Sequence, residues 1–306
     1  MNPPLVSVCL ITYNHEKYIR QAIDSILMQV VDFSWELIIA DDFSVDKTRA
    51  IILEYKEKYP DFIKLIFQEK NVGAAQNWID LMNAPKSKYC AYIEGDDFWT
   101  DTLKLQKQFI FLEKNIVYSA CFTNIDAIIN ENLKQSVLGL NNKRDFDKES
   151  IFEELWIPTL TFFFRTNSLI KPLPKEFLQI YTGDLFMFYL IAQEGRIKYL
   201  DFISGVYRNH QNGAWSGMDQ FTSLKTMNKT YSELKKYFYE NKIATKFFIS
   251  QIQKNKWKEV MLFSKLKNKK QFFLKYLEFL IKNPKSGLVN GGVLVNKYFR
   301  NKYLIN

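Results

Sequence analysis

Cysteine and histidine are scarce, with three and two copies in 306 residues. No Cys-x-x-Cys and no His-x-x-x-His pair occurs, so a structural zinc site has no ligand set. Cys9, Cys90 and Cys121 are odd in number, far apart and set in apolar runs. They read as buried free thiols in a reducing cytoplasm rather than as a disulfide framework. Gly-x-Gly-x-x-Gly and Gly-x-x-x-x-Gly-Lys-Ser/Thr are both missing, which argues against a nicotinamide-dinucleotide enzyme and a P-loop NTPase. No apolar run approaches the roughly 18–20 residues of a membrane span. The opening Met1-Asn2-Pro3-Pro4 has no positive charge and residues 5–11 are too short for a signal core, so a cytoplasmic chain is expected. Hydrophobic residues at 47% and charged residues at 25% are ordinary for a globular protein and exclude disorder, collagen and coiled coil. The length suits two units, or one α/β domain with an appended part.

Charge of one sign is missing from the end of the chain. Residues 229–306 hold 18 Lys and Arg against 4 Glu, a net of +14. Residues 1–228 hold 24 basic and 29 acidic side chains, a net of −5, so the whole carries +9. A mildly acidic body is thus joined to a strongly basic tail, an asymmetry that suggests an anionic surface as partner.

Residues 5–11 form a continuous β-branched run, the pattern of a strand buried on both faces. Similar runs fall at 35–40, 63–67 and 89–93. Helical spacing follows each, at 17–29, 46–59, 73–83 and 102–113. Strands alternating with helices predict βαβ units and a mostly parallel sheet covered on both faces. Ligands of such sheets sit at the carboxyl ends of the strands. Beyond Asp101 the pattern loosens: extended chain over 117–129, a polar loop over 130–150, a strand over 158–165, a helix over 183–194, one or two strands over 196–207 and a loop over 209–217. Lys-studded amphipathic helices fill the rest. The division is 1–217 for the α/β body and 218–306 for the basic helical region.

The strand ends carry the chemistry. Glu94-Gly95-Asp96-Asp97 follows a buried strand, and clustered carboxylates repel one another unless a cation is present. Mg²⁺ or Mn²⁺ takes one or two carboxylates plus phosphate oxygens and neutralises charge on a departing diphosphate. The competing reading is an acidic turn or helix cap. Asp41-Asp42 sits at another strand end, where it can accept from a base or a ribose. An Asx turn with a helix cap at Ser44 or Asp46 competes, and one of the two Asp is expected to be structural. Thr12-Tyr13-Asn14 could wrap a base against the Tyr ring, or be a plain polar loop.

Four segments then fall in order: VSVCLITYNHEKYIRQAIDSILMQ, WELIIADDFSVDKT, NVGAAQNW and YIEGDDFW. Together they resemble the family 2 glycosyltransferases of GT-A fold. A weaker likeness continues through IPTLTFFFR, TGDLFMFYLIAQEGRIKYL and GVYRNHQNGAWSG to residue 217, as in bacterial members that build surface polysaccharides such as lipopolysaccharide or capsule. The resemblance implies that Thr12, Tyr13, Asn14 and Glu16 line a nucleotide pocket, that Asp42 with Asp41 holds base or ribose, and that Asn71 to Gly73 run beside it. Glu94-Gly95-Asp96 takes the family's Asp-x-Asp place, with Glu94 where Asp is usual. It implies diphosphate contact for Glu94 and Asp96, and metal contact for Asp96, Asp97 and His210. Arg208 would neutralise diphosphate and Trp215 would cover the sugar. Asp184 takes the place of the catalytic base, with a helix cap as the competing reading. A loop histidine is the plain alternative for His210, and His15 reads as incidental.

The resemblance implies an inverting hexosyl transfer from a nucleoside-diphosphate sugar, taken as UDP-linked, to a glycan or lipid-linked acceptor, with Mn²⁺ or Mg²⁺ as cofactor. A metal-dependent nucleotidyltransferase is the rival, but TYNHE lacks its Gly-rich, basic loop. A non-catalytic glycan- or membrane-binding protein is the third reading. In the tail, Trp257, Phe263, Phe272, Phe273, Tyr276 and Phe279 stand among lysines. This suits an anionic leaflet with snorkelling Lys stems, hence a peripheral place at the inner face of the cytoplasmic membrane. A helical bundle packing on the body or on a second copy is the alternative. No recognition motif supports nucleic acid.

Overall fold

The computed structural model describes residues 4–129, 132–136, 138, 145–152, 157–211, 213, 215–265, 274, 278 and 279. The chain divides into two compact units, residues 1–217 and 218–306.

The first unit is built on one twisted sheet. Strand β1 (Val6–Thr12) lies at its centre, followed by α1 (Ile19–Leu27), β2 (Trp35–Asp41), α2 (Thr48–Lys58), β3 (Ile63–Phe67), α3 (Ala74–Asn83) and β4 (Tyr89–Glu94). Every residue of β1 but Ile11 is buried, as the unbroken apolar run predicts for a strand covered on both faces. Helix α1 meets the sheet through Ile19, Ala22, Ile23 and Ile26, the i, i+3, i+4, i+7 face read from the sequence.

Then come β5 (Phe98–Trp99), α4 (Lys104–Lys114), β6 (Tyr118–Ile129), β7 (Asn132–Lys134), β8 (Asp145–Phe146), β9 (Phe163–Arg165), α5 (Gly183–Glu194) and β10 (Arg196–Asn209). Among the described residues the strand order is β3-β2-β1-β4-β9-β6-β10-β5, with β7 on β6 and β8 on β10. Strands β3, β2, β1 and β4 run parallel; β9 enters antiparallel between β4 and β6; β10 runs parallel to β6.

The strand expected over 158–165 is half right. Pro158 cannot donate to a ladder, and Thr161 Oγ1 donates back to the Pro158 carbonyl at 2.9 Å. Residues Thr159–Thr161 therefore form a single 3₁₀ turn, and only Phe163–Arg165 pair in the sheet. The two-residue strand β5, antiparallel to β10, has no counterpart in the sequence reading.

Strand register fixes where the loops emerge. Thr12 pairs with Asp41, and Ile11 with Glu94. The chain thus leaves β1, β2 and β4 at one level, beside the β1/β4 junction where strand order reverses and a crevice opens. From the other side, Val206 of β10 pairs with Phe98, so β10 ends next to the turn that follows β4.

The second unit contains α6 (Gln220–Tyr237) and α7 (Lys242–Lys265). Asp219 caps α6 by accepting from the Phe221 and Thr222 N–H groups at 2.9 and 3.0 Å. Leu234, Phe238, Ala244, Phe248 and Val260 are buried, while Lys242, Lys246, Lys254 and Lys258 are exposed. Trp257 lies near Phe279, with ring centroids 5.2 Å apart. The side chain of Phe263, and Phe272, Phe273 and Tyr276, lie outside the described residues. No helix among the described residues is long and apolar enough to cross a membrane.

Candidate active site

The loop after β1 is latched to the loop after β2. The Asn14 N–H donates to Ser44 Oγ at 2.8 Å, the His15 N–H to Thr48 Oγ1 at 2.8 Å, and the Glu16 N–H to Asp46 Oδ2 at 3.0 Å. In return Asn14 Oδ1 accepts from the Val45 N–H at 3.0 Å, and Glu16 Oε2 from the Lys47 N–H at 3.1 Å. Asn14 adopts φ 54°, a left-handed conformation that Asn tolerates better than most residues. Asn14 and Glu16, expected to line a nucleotide pocket, each use one side-chain oxygen to hold the two loops together. Tyr13 between them is 43% exposed, its ring available to a planar partner.

The Asp pair divides in the same way. Asp41 is fully buried and accepts from the Ser44 N–H at 3.0 Å, from the Ser44 hydroxyl and from Arg49 Nε. It braces the turn rather than facing the crevice. Asp42 reaches across to the next strand end, accepting from the Val72 N–H at 2.7 Å and the Gly73 N–H at 3.0 Å. Asn71 Nδ2 donates to the Asp42 carbonyl at 3.2 Å. Gly73 has φ 86°, which a side chain would strain. Asp42, Asn71 and Gly73 therefore form one group, as the sequence suggested. Burial raises the Asp42 carboxyl, with the two N–H donors partly offsetting it.

At the end of β4 the acidic cluster also separates. Asp97 is 2% exposed, and its Oδ1 accepts from the Arg208 N–H at 2.8 Å. Burial, reinforced by the charges of Asp96 and Glu94, pushes its carboxyl well up. Asp97 ties β10 to the turn through a buried hydrogen bond, whereas the sequence reading grouped it with the metal ligands. Asp96 points the other way. Its Oδ2 stands 3.0 Å from His210 Nε2 and 3.7 Å from His15 Nε2. Burial alone would raise Asp96, yet the His210 hydrogen bond and the facing His15 hold it below the usual carboxylate value. Arg208 donates through Nη1 to the Asp96 carbonyl and through Nη2 to Gln21, and its guanidinium lies over Tyr18 and Phe98 at 5.1 and 4.3 Å.

Glu94 and Asp184 form the inner end. Burial drives the Glu94 carboxyl well up, and the charges of Asp96 and Asp184 add to it. Its Oε2 is buried with no hydrogen-bond partner. The Thr159 hydroxyl lies 3.5 Å from Asp184 Oδ2. Burial raises Asp184 as well, with the Leu185 N–H and Thr159 opposing. Trp215 is 42% exposed, its ring 6.4 Å from that of Tyr181.

The donor set suits a divalent cation: a carboxylate held ionised between two imidazoles, and a buried carboxyl oxygen without a partner. Asp96 and His210, with Glu94 behind them, would hold it. Among the described residues no group of three or more His, Cys, Asp or Glu side chains is placed to hold a metal ion by itself. Sequence reading did not group His15 or Thr159 with these carboxylates, beside which the fold places them. His15 carried a signal, since it lies two residues after Tyr13 on a strand end already suspected of binding. Thr159 carried none.

A sheet reversing at β1/β4, with an acidic turn at its carboxyl edge and a late strand returning Arg and His to that turn, defines a GT-A-type α/β protein. The family model for glycosyl transferase family 2 matches residues 7–171, and the chain belongs to that family. An uncharacterized protein of Mycobacterium tuberculosis is 34% identical over 69% of this chain and 60% of its own length. This chain thus spans about 60% of the mycobacterial relatives it matches. An Escherichia coli UDP-Glc:alpha-D-GlcNAc-diphosphoundecaprenol beta-1,3-glucosyltransferase is 28% identical over 81% of this chain and 92% of its own. S. aureus TarS 1-349, solved in complex with UDP-GlcNAc, shares the fold at TM-score 0.62 and 18% identity, covering 90% of this chain and 80% of that one. The mannosyltransferase PcManGT of Pyrobaculum calidifontis, solved with GDP-Man and Mn2+, does so at TM-score 0.60 and 14% identity, covering 96% and 81%.

Proposed function

We propose that the protein is an inverting, cation-assisted glycosyltransferase that moves a hexose from a UDP-sugar to a hydroxyl of a bacterial surface glycan or its lipid-linked precursor. The observation that carries this reading is the adjacency of two unlike carboxylates at one crevice. Asp96 is held below the usual carboxylate value by the histidines it faces, and Asp184 is raised by burial. The named relatives and the neighbours solved with nucleotide sugars support the same class of donor.

Tyr13 stacks on the base, and Asp42 with Asn71 and Gly73 frames the ribose end. Asp96 and His210 hold the cation, which when bound offsets charge on the diphosphate. Arg208, fixed by Asp97 and the Asp96 carbonyl, adds positive charge there. Asp184 takes the proton of the acceptor hydroxyl while that oxygen bonds to the anomeric carbon and the bond to the diphosphate oxygen breaks, its electron pair leaving with the nucleoside diphosphate. A raised carboxyl is a better proton acceptor than an ordinary one at the same degree of ionisation. Trp215 covers the sugar. The basic residues of 229–306 place the enzyme on the anionic inner face of the cytoplasmic membrane, near a lipid-linked acceptor.

Calorimetric titration with UDP, with and without Mn²⁺, tests the reading. Metal-enhanced UDP binding is expected, and its absence sinks it. A panel of nucleotide sugars scored for donor hydrolysis then identifies the hexose.

A further inference from the structure

Phe43 occupies a backbone position that disfavours phenylalanine. It sits between Asp42 and Ser44 with φ 62°, in the left-handed region. Among the described residues only Asn14 and Ser136 share a positive φ without being glycine. Those two are short and polar, whereas a bulky side chain there crowds the following carbonyl and destabilises the fold. The turn explains the sign of φ. Reversing the chain at residue 43 lets the Ser44 N–H reach Asp41 Oδ1 at 3.0 Å, while Asp42 reaches on to the Val72 and Gly73 N–H groups at 2.7 and 3.0 Å. It does not explain the phenylalanine, because Gly or Asn would make the same turn with less strain. Strain of this kind gathers where a side chain has a task.

The facing loop shows what that ring stands beside. Residues 12–14 and 42–45 run side by side: the Asp42 N–H donates to the Thr12 carbonyl at 3.1 Å, and the Asn14 N–H to Ser44 Oγ at 2.8 Å. Tyr13 and Phe43 are the middle residues between these two rungs, one on each loop. Both side chains are open, 43 and 39% exposed, although each is large and aromatic.

Arg49 orders the Phe43 ring. Its guanidinium lies 5.1 Å from the centroid of Phe43 and 4.8 Å from that of Phe67, and it is itself fixed on Asp41 and on the Gln68 carbonyl. Part of the Phe43 ring thus rests on a pinned cation while the rest stays exposed. A planar ligand would meet a surface that is already ordered, which lowers the entropy lost on binding.

We propose that Phe43 is a binding residue for the base of the donor nucleotide, its ring adding to that of Tyr13, and that the strained turn at residue 43 is kept for this contact. The inference rests on the nucleotide-sugar reading of the site and adds a residue to it. Stacking acts on the face of the base, so Phe43 strengthens the hold on the nucleoside end and contributes nothing to the diphosphate.

The test is calorimetric titration of the full chain with Mn²⁺, using UDP and, separately, inorganic diphosphate, with thermal melts alongside. Phe43→Leu keeps an apolar side chain beside Arg49 without an aromatic face. Phe43→Gly removes the ring and the strain together, and Phe43→Tyr keeps the ring. Phe43→Leu and Phe43→Gly should each weaken UDP at least threefold and change diphosphate less than threefold, and Phe43→Tyr should hold UDP within threefold. Phe43→Gly should also melt above Phe43→Ala, the reverse of the usual order, because glycine alone is at ease at this φ. A loss of UDP affinity below threefold in Phe43→Leu and Phe43→Gly, or an equal loss for diphosphate, overturns the proposal and leaves the glycosyltransferase reading standing; the ring then serves only to cover Arg49. Phe43→Gly melting below Phe43→Ala overturns the strain argument. A wild type that does not bind UDP overturns both readings.

Discussion

Replacing Asp97 separates two readings of the acidic turn. As a cation ligand, Asp97 should behave like Asp96. As a buried acceptor for the Arg208 N–H, it should tolerate Asn, which keeps an oxygen at the same place, and reject Ala, which does not. The structure supplies the magnitudes. Asp97 Oδ1 lies 2.8 Å from the Arg208 nitrogen and the side chain is 2% exposed, so truncation strands a buried donor. Such a donor costs about 1–3 kcal/mol. For a unit of this size, about 2 kcal/mol lowers Tm by roughly 4–8 °C. Asp97→Asn removes a carboxyl already pushed up by burial and by Asp96 and Glu94, so stability at pH 8 should hold or rise. Calorimetric melting and Mn²⁺ titration in the presence of UDP decide the matter. Asp97→Asn should keep Mn²⁺ affinity within threefold, and Asp96→Asn should lose it by more than tenfold. A folded Asp97→Asn protein that loses Mn²⁺ as Asp96→Asn does would refute the assignment.

Asp184→Asn should keep UDP-sugar binding and lose transfer by at least a hundredfold, as loss of a general base requires. Because burial raises Asp184, the acid limb of the wild-type rate profile should fall above the ordinary Asp value of about 3.9, and a limb at or below it removes Asp184 from this role. Tyr13→Ala should weaken UDP by about 1–3 kcal/mol if the exposed ring stacks on uracil, measured calorimetrically; unchanged affinity excludes stacking. Glu94→Gln should stabilise the metal-free protein at pH 8 by about 1–3 kcal/mol, since the buried Oε2 lacks a partner. A raised carboxyl favours the fold in its protonated form, so this gain should vanish on acidification to pH 5; a gain that grows instead contradicts the burial assignment. Lys104 is fully buried, donates to Gln108 Oε1 at 2.7 Å and lies over Trp99, and burial lowers it to about 7. The unfolded chain holds that proton to about pH 10.4, so wild-type stability should rise relative to Lys104→Met between pH 7 and 10, by at most about 5 kcal/mol; a flat difference in denaturant melts refutes it.

Strands β1 to β4 and helices α1 to α5 were legible because each announces itself locally, by a β-branched run or a helical apolar face. The pieces that were not legible are long-range. β9 falls inside the strand read over 158–165, but which three of those residues pair depends on the ladder edges that β4 and β6 offer; β5 contributes two residues and exists because β10 passes by. The site shows the same division. That polar and acidic side chains gather at the ends of β1, β2 and β4 could be read from polar residues breaking apolar runs. Which side chain of each motif faces the crevice could not, because that depends on where the next loop presents its N–H groups. Asn14, Glu16, Asp41 and Asp97 look like ligands in sequence and serve as latches in the fold. His15 looks idle and stands beside Asp96.

The latches also bear on how an acidic crevice would receive the diphosphate of the proposed donor. Counted from sequence, Glu94, Asp96, Asp97 and Asp184 bring four negative charges to one place. The fold does not let them act alike. Burial raises Glu94, Asp97 and Asp184, so each holds a proton more readily than it would in water. Asp96 alone of the four is held below its ordinary value, and it is the one facing both histidines. The negative field is thus concentrated on a single oxygen with imidazoles beside it, while Arg208 is fixed a few atoms away on the Asp96 carbonyl. Under the proposed function Asp96 and His210 would hold a cation there, which would offset phosphate charge. The net charge of −5 in residues 1–228 is therefore no obstacle to binding an anion, because the local arrangement at Asp96, and not the sum over the body, sets the field that a diphosphate meets.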